Sequence, residues 1–261
     1  MSAPDSGHAL PAPPPSPSTP ITLRPLRWSD PPRWIAAGVR DFLRAPLIGL
    51  FYGAAFMVMG WALVKVYESA PAYVMALAAG FLLMGPFLCL GLYQVSRSLE
   101  RGEPVDFGAS LLAFESRMGP LAIFGFVLLV LEMLWGRATL VIFAVSFDGM
   151  PDLRGSLLAL LDPENIGFIV AWLAVGAVFA GLIFAVSVVS IPMLLDRPVD
   201  AITAGLTSLR LVLTRTGPML LWGALIVVLV VLAMLPWFAG LLVVGPVLGH
   251  ASWHAYRAAV G

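Results

Sequence analysis

Long runs without charge, broken by short clusters of arginine and acid, set the rhythm of this chain. Residues 45–64 lie uncharged between Arg44 and Lys65, and 72–95 follow a short link carrying Glu68 and Pro71. A third run, 119–140, is interrupted by Glu132 and Arg137. Residues 165–195 give thirty-one uncharged positions, and 216–256 give forty-one. A membrane helix needs about 20 apolar residues, so the last run, about 60 Å long as one helix, is twice the length required. Leu235-Pro236-Trp237 divides it. The pattern predicts an all-α, polytopic membrane protein with six transmembrane helices, at about 45–64, 72–95, 119–140, 167–194, 216–235 and 237–256.

Three shorter segments read as amphipathic surface helices. Ser29-Asp30-Pro31-Pro32 is a helix start in which Asp30 caps free amides and Pro31 tolerates the first turn. Beyond it Trp34, Gly38 and Phe42 share one side, while the membrane-surface arginines Arg33, Arg40 and Arg44 share another. An apolar stripe beside an arginine stripe suits a helix on an anionic membrane face, or a topogenic flank with no partner beyond lipid. Phe107, Leu111 and Phe114, and again Ile202, Leu206 and Leu209, follow a helical period, with Asp106 and Asp200 as N-caps.

These segments belong to an internal resemblance. Gly85-Pro86 matches Gly245-Pro246, and at the same offset Tyr93 meets Trp253 and Arg97 meets Arg257. Pro104-Val105-Asp106 resembles Pro198-Val199-Asp200, and Arg117 to Pro120 resembles Arg215 to Pro218. A parallel threefold repeat follows, each unit an amphipathic segment and a helix hairpin, over 29–97, 104–195 and 198–257. Pro120 and Pro218 sit at span entrances, where a missing amide costs little. Pro86, Pro192 and Pro246 are candidate kinks inside spans, serving packing or lining a cavity.

Charge selects an orientation. With both ends inside, the inner segments hold twelve arginines and the outer side only Lys65, Arg137 and Arg154. That asymmetry predicts cytoplasmic termini, in a single membrane domain over 29–257 with a four-residue end, 258–261. Residues 1–28 read as a disordered cytoplasmic tail, since 1–20 holds seven prolines and little apolar surface. Composition agrees with a membrane location: 60% hydrophobic, 11% charged and mean hydropathy +0.94 exclude an ordinary soluble globule, which is about a quarter charged. Fifteen basic residues balance fifteen acidic ones, so no global excess points to nucleic acid.

The run Leu83-Met84-Gly85-Pro86-Phe87-Leu88-Cys89-Leu90-Gly91-Leu92-Tyr93, followed by Ser96-Arg97-Ser98-Leu99-Glu100-Arg101-Gly102-Glu103, resembles a bacterial membrane family classed as domain of unknown function 2189. The resemblance extends from Arg24 to Arg257 and implies a multi-pass protein of the bacterial inner membrane, with no activity or site residue to carry over. Some relatives are labelled as cytochrome oxidase components. Haem-copper chemistry needs several inward histidines, and only His250 of three lies well within a span.

The candidate chemistry is sparse. Glu132 lies roughly 18 Å along a regular helix from Pro120, where an ionised carboxylate must face protein or water. It reads as a proton or cation relay, or as an interface carboxylate beside Arg137, although i,i+5 pairs poorly unless Gly136 breaks the helix. His250 and His254 are either a proton-responsive pair or makers of interhelical hydrogen bonds. Trp28, Trp34, Trp61, Trp135 and Trp237 suit an aromatic belt. Ser29, Ser96 and Ser116 show no adjacent base and acid, and no phosphate loop or metal-ligand set is present, so enzyme activity is not expected. No cofactor is implied. The expected partners are the bilayer and a protein partner or second copy. The reading is a membrane scaffold or assembly protein, with a small-solute or proton-coupled permease or channel-like protein as the alternative.

Overall fold

A computed structural model describes residues 21–69, 74–146 and 166–261. Among these residues ten α-helices form: α1 Asp30–Arg44, α2 Pro46–Ser69, α3 Val74–Arg101, α4 Phe107–Leu111, α5 Met118–Ser146, α6 Ile166–Ser187, α7 Ser190–Asp196, α8 Ala201–Thr214, α9 Thr216–Met234 and α10 Leu241–Ala259. Residues 147–165, most of the stretch between the third and fourth expected spans, and residues 1–20 lie outside the described residues.

Four segments are long and apolar enough to cross a membrane: Pro46–Ser69, Phe107–Ser146, Ile166–Asp196 and Thr216–Met234. The protein is therefore an all-α, multi-helix protein with four candidate spanning helices. Their large outward side chains, such as Phe126 and Val130 on α5 and Val170 and Leu173 on α6, form an apolar surface suited to lipid. Helices α3 and α10, which hold the second and sixth sequence spans, are not among the four. Each is apolar in its first half and polar in its second: α3 ends in Ser96, Arg97, Ser98, Glu100 and Arg101, and α10 carries His250, Trp253, His254, Tyr256 and Arg257.

Three details differ from the sequence reading. Helix α5 runs unbroken through Gly136 to Ser146, so nothing bends Arg137 back toward Glu132. The fourth span divides at 188–189 into α6 and α7, because Pro192 becomes the third residue of a new helix, where its missing amide is not needed. Pro86 and Pro246 do lie inside helices. Residues 21–28 do not behave as tail: Arg24 N donates to Ala259 O (2.9 Å), Gly261 N donates to Thr22 O (2.9 Å), and Leu23 bridges Val260.

The amphipathic segments differ in which face they bury. On α1 the stripe of Trp34, Gly38 and Phe42 is buried against protein, not laid on lipid, and Trp34 meets Trp222 edge-on at 5.5 Å. A methyl group at Gly38 would stand 2.5 Å from the Val247 carbonyl oxygen, so this glycine sets how closely α1 approaches α10. Trp34 therefore leaves the aromatic belt, while Trp28, Trp61 and Trp237 remain exposed. On α8 the small residues Ala201, Ala204 and Ser208 face inward and Ile202, Leu206 and Leu213 face outward. The α4 region does the same, with Ser110 and Ala113 inside and Phe107, Leu111 and Phe114 outside. Asp106 and Asp200 cap α4 and α8, accepting from Ala109 N and from Ile202 N and Thr203 N. Asp30 does not cap α1; it reaches back to accept from Arg27 N at 2.7 Å.

The last turn of the fold has an unusual backbone. Trp237 and Phe238 both adopt positive φ, 51° and 64°, which bulky residues rarely do. Packing holds them there: Trp61 Nε1 donates to Trp237 O (2.7 Å), and the Phe238 ring lies against Gly60.

Candidate functional site

Polar groups gather where the second halves of α3 and α10 meet α1 and α7. Asp41 occupies the inward side of α1, seven residues beyond Trp34 and so two turns along the same face. It is 4% exposed. His254 Nε2 donates to its Oδ2 at 2.7 Å. Burial pushes the Asp41 carboxyl up, but hydrogen bonds from His254 and Ser96 and the charge of His254 outweigh it and hold the group below the usual 3.8. Ser96 on α3 also pairs with His250 Nδ1 on α10 at 2.8 Å. Two hydrogen-bonded pairs, His254 with Asp41 and Ser96 with His250, thus tie α10 to α1 and to α3.

This arrangement corrects the statement that Ser96 lacks an adjacent base and acid. It does not make a nucleophile: Ser96 and His250 are fully buried, and Asp41 orients His254 rather than His250. Both histidines make interhelical hydrogen bonds.

A second knot lies beside it. The Asp196 carboxylate, 10% exposed at the end of α7, accepts from Tyr256 OH (2.8 Å) and lies 3.6, 3.7 and 3.5 Å from the guanidinium nitrogens of Arg97, Arg101 and Arg257. Glu100 receives Arg257 Nη2 at 2.9 Å and Trp253 Nε1 at 3.0 Å. Arg197 donates to Tyr256 OH (3.0 Å) and to Gly261 O (2.9 Å), so the chain end is tied into the same knot. Arg97 and Arg257, matched in the internal resemblance, both reach Asp196. Four arginines around two acids leave the knot with positive charge in excess.

The intramembrane candidates fall in different places. Glu132 sits midway along α5, 7% exposed, and its Oε2 has no hydrogen-bond partner among the described residues. It lines a crevice of about 280 Å³ against α6, with Trp135, Phe179, Phe184 and Ser187. Arg137 points outward and, among the described residues, makes no ion pair with it. His250 belongs to the α3–α10 interface, so Glu132, Arg137 and His250 do not form one site. A second, larger cavity of about 380 Å³ is almost wholly apolar and lies among α3, α4 and α5. At its edge Tyr52 OH pairs with Ser110 Oγ (2.9 Å), which donates to Gly91 O.

Sequence reasoning missed Asp41, Glu100 and Asp196. The signal for Asp41 was present, as the one acid on the apolar stripe of α1. Glu100 and Asp196 carried no such signal, because their partners lie on distant helices. No curated protein and no solved structure matches the chain. Residues 74–196, which run from α3 to α7 and include Arg97, Glu100, Glu132 and Asp196, match the uncharacterised family described as predicted integral membrane protein, DUF2189.

Proposed function

We propose that the protein is a membrane scaffold or interaction protein, whose polar helix ends form a fixed platform at the cytoplasmic face of a bacterial inner membrane. The observation that carries this reading is the knot around Asp196 and Asp41. Its buried polar groups bind one another across α1, α3, α7 and α10, as groups that hold helices together do. A transport path needs polar groups free to replace a solute's hydration.

In this reading six helices cross the membrane, α2, α3, α5, α6–α7, α9 and α10, with both termini cytoplasmic. The strongly positive ends meet in one knot, while the Lys65 end of α2 adjoins the α9–α10 turn through Trp61 and Trp237, which supports opposite faces. The amphipathic helices lie at the cytoplasmic surface and present Phe107, Leu111, Ile202 and Leu206 to lipid. A cyclic arrangement supports the threefold repeat: α1 packs on α10, α4 on α3, and α8 on α6 and α7. Pro120 and Pro218 are each the third residue of their helix. Gly85 and Gly245 differ, since only Gly245 is packed, against Phe56, among the described residues.

The test is a flux assay in proteoliposomes under a proton gradient and under a potassium gradient, with a photo-crosslinking amino acid at Arg210 in cells. A scaffold gives no protein-dependent flux and a discrete protein adduct. Flux in wild type that Glu132→Gln abolishes would establish the permease instead.

A further inference from the structure

The crevice beside Glu132 joins a single acid to an aromatic wall, and its chemistry is independent of the scaffold reading. Glu132 is more than nine-tenths buried, and among the described residues one of its oxygens has no hydrogen-bond partner and no cation pairs with it. Helix α6, which forms the opposite wall, has no charged residue. On the other described elements packed against α5, the charged groups are Arg97, Glu100 and Arg101 of α3, Glu115 and Arg117 of the 3-10 turn before α5, Asp196 of α7 and Arg210 of α8, and none lines the crevice. On α5 itself Arg137 is exposed. An unpaired ionised carboxylate in an apolar place is costly, so a ligand that supplies positive charge gains the whole of that pairing.

The lining selects the kind of cation. An inorganic ion requires several oxygen ligands. Among the side chains that line the crevice, only the Glu132 carboxylate and the Ser187 hydroxyl offer oxygen. Trp135, Phe179 and Phe184 instead supply rings, which attract weakly hydrated cations by their negative faces. The volume, about 280 Å³, is that of a small organic ligand's pocket. Glu132 lies midway along a spanning helix, too deep for a lipid headgroup.

We propose that the α5–α6 crevice binds a lipophilic organic monocation, held between the Glu132 carboxylate and the rings of Trp135, Phe179 and Phe184. Protons compete for the same oxygen, so acid weakens binding.

The probe is benzyltrimethylammonium, titrated by calorimetry and tryptophan fluorescence into the purified full chain in detergent between pH 8 and pH 5. Saturable binding that weakens toward pH 5, and about tenfold or more in Glu132→Gln, supports the site, as expected for loss of a charge-assisted contact. Equal binding by that variant, or by the uncharged carbon isostere of the probe, overturns it as simple partitioning. No saturable binding by monodisperse wild type also overturns it. A wild-type measurement covers the case in which Glu132→Gln does not fold: dicyclohexylcarbodiimide should modify Glu132, read by mass spectrometry, and the probe should protect it. Modification that the probe leaves unchanged, or none at Glu132, overturns the proposal. Protein-dependent flux that Glu132→Gln leaves unchanged, or a missing crosslink, would affect the scaffold reading alone.

Discussion

Replacing Asp196 with asparagine removes one charge from the centre of the knot while keeping an oxygen for Tyr256. Three guanidinium groups then lose their shared anion. A unit pair at the observed 3.5 Å is worth about 5 kcal/mol at an effective dielectric of about 20. Repulsion among the arginines already offsets part of that, and Arg101 and Arg257 are nearly half exposed to water. The expected net cost is about 3 kcal/mol, at the low end for breaking a buried pair. For a chain of this size that lowers Tm by about 6 to 10 °C. Two other acids calibrate the figure. Glu100, 39% exposed, has one arginine and an indole as partners, so Glu100→Gln should cost about 1 kcal/mol. Glu68, 53% exposed and paired with the fully exposed Lys65, should melt with the wild type when replaced by glutamine. Thermal unfolding of the three variants in one detergent, followed by intrinsic fluorescence and by loss of the monodisperse peak, gives the order directly. If Asp196→Asn melts with Glu68→Gln, the knot does not hold the helices together and the argument fails.

Three further outcomes follow from the same contacts. Gly38→Ala places a methyl group 2.5 Å from Val247 O and 2.8 Å from Ala251 N, both backbone, and should destabilise by about 1–3 kcal/mol in thermal unfolding. Asp41 has a lowered folded value, so its stabilisation is complete above its unfolded value of 3.8 and lost as pH falls through the lower folded one. Crosslinking between α1 and α10 should therefore be undiminished at pH 5 and fall only as the pH drops below 3.8 toward the lowered folded value, and Asp41→Asn should remove that dependence on acid. Asp200→Ala removes the cap that takes the amides of Ile202 and Thr203 and a bond from the Thr203 hydroxyl, costing about 1 kcal/mol by the same unfolding assay.

The helices were legible because an apolar run is a local signal: the starts of α2, α5 and α9 and the break near Pro236 lie within a few residues of their sequence positions. Caps at Asp106 and Asp200 were legible for the same reason. What is buried against what was not. The stripe of Trp34, Gly38 and Phe42 reads identically whether lipid or α10 covers it, and only the acid at Asp41 distinguishes the two. Pro192 looked like a kink because sequence does not show that the chain restarts a helix at Ser190. Ser96 looked inert because its partner, His250, lies 154 residues after it. Glu132 was found from sequence, since charge in an apolar run stands out; its aromatic wall on α6 was not.

The central claim is that the knotted ends of the helices share the cytoplasmic face, with the Lys65 end of α2 opposite. In a Cys89→Ser background, single cysteines at Glu103, Arg210 and Glu68, all exposed positions, report the two faces to a membrane-impermeant maleimide. With the outer membrane opened and the inner membrane intact, labelling should occur at position 68 alone. Positions 103 and 210 should label only after the inner membrane is permeabilised. Labelling of 103 or 210 in sealed cells, or protection of 68, would contradict the six-span, cytoplasmic-platform account.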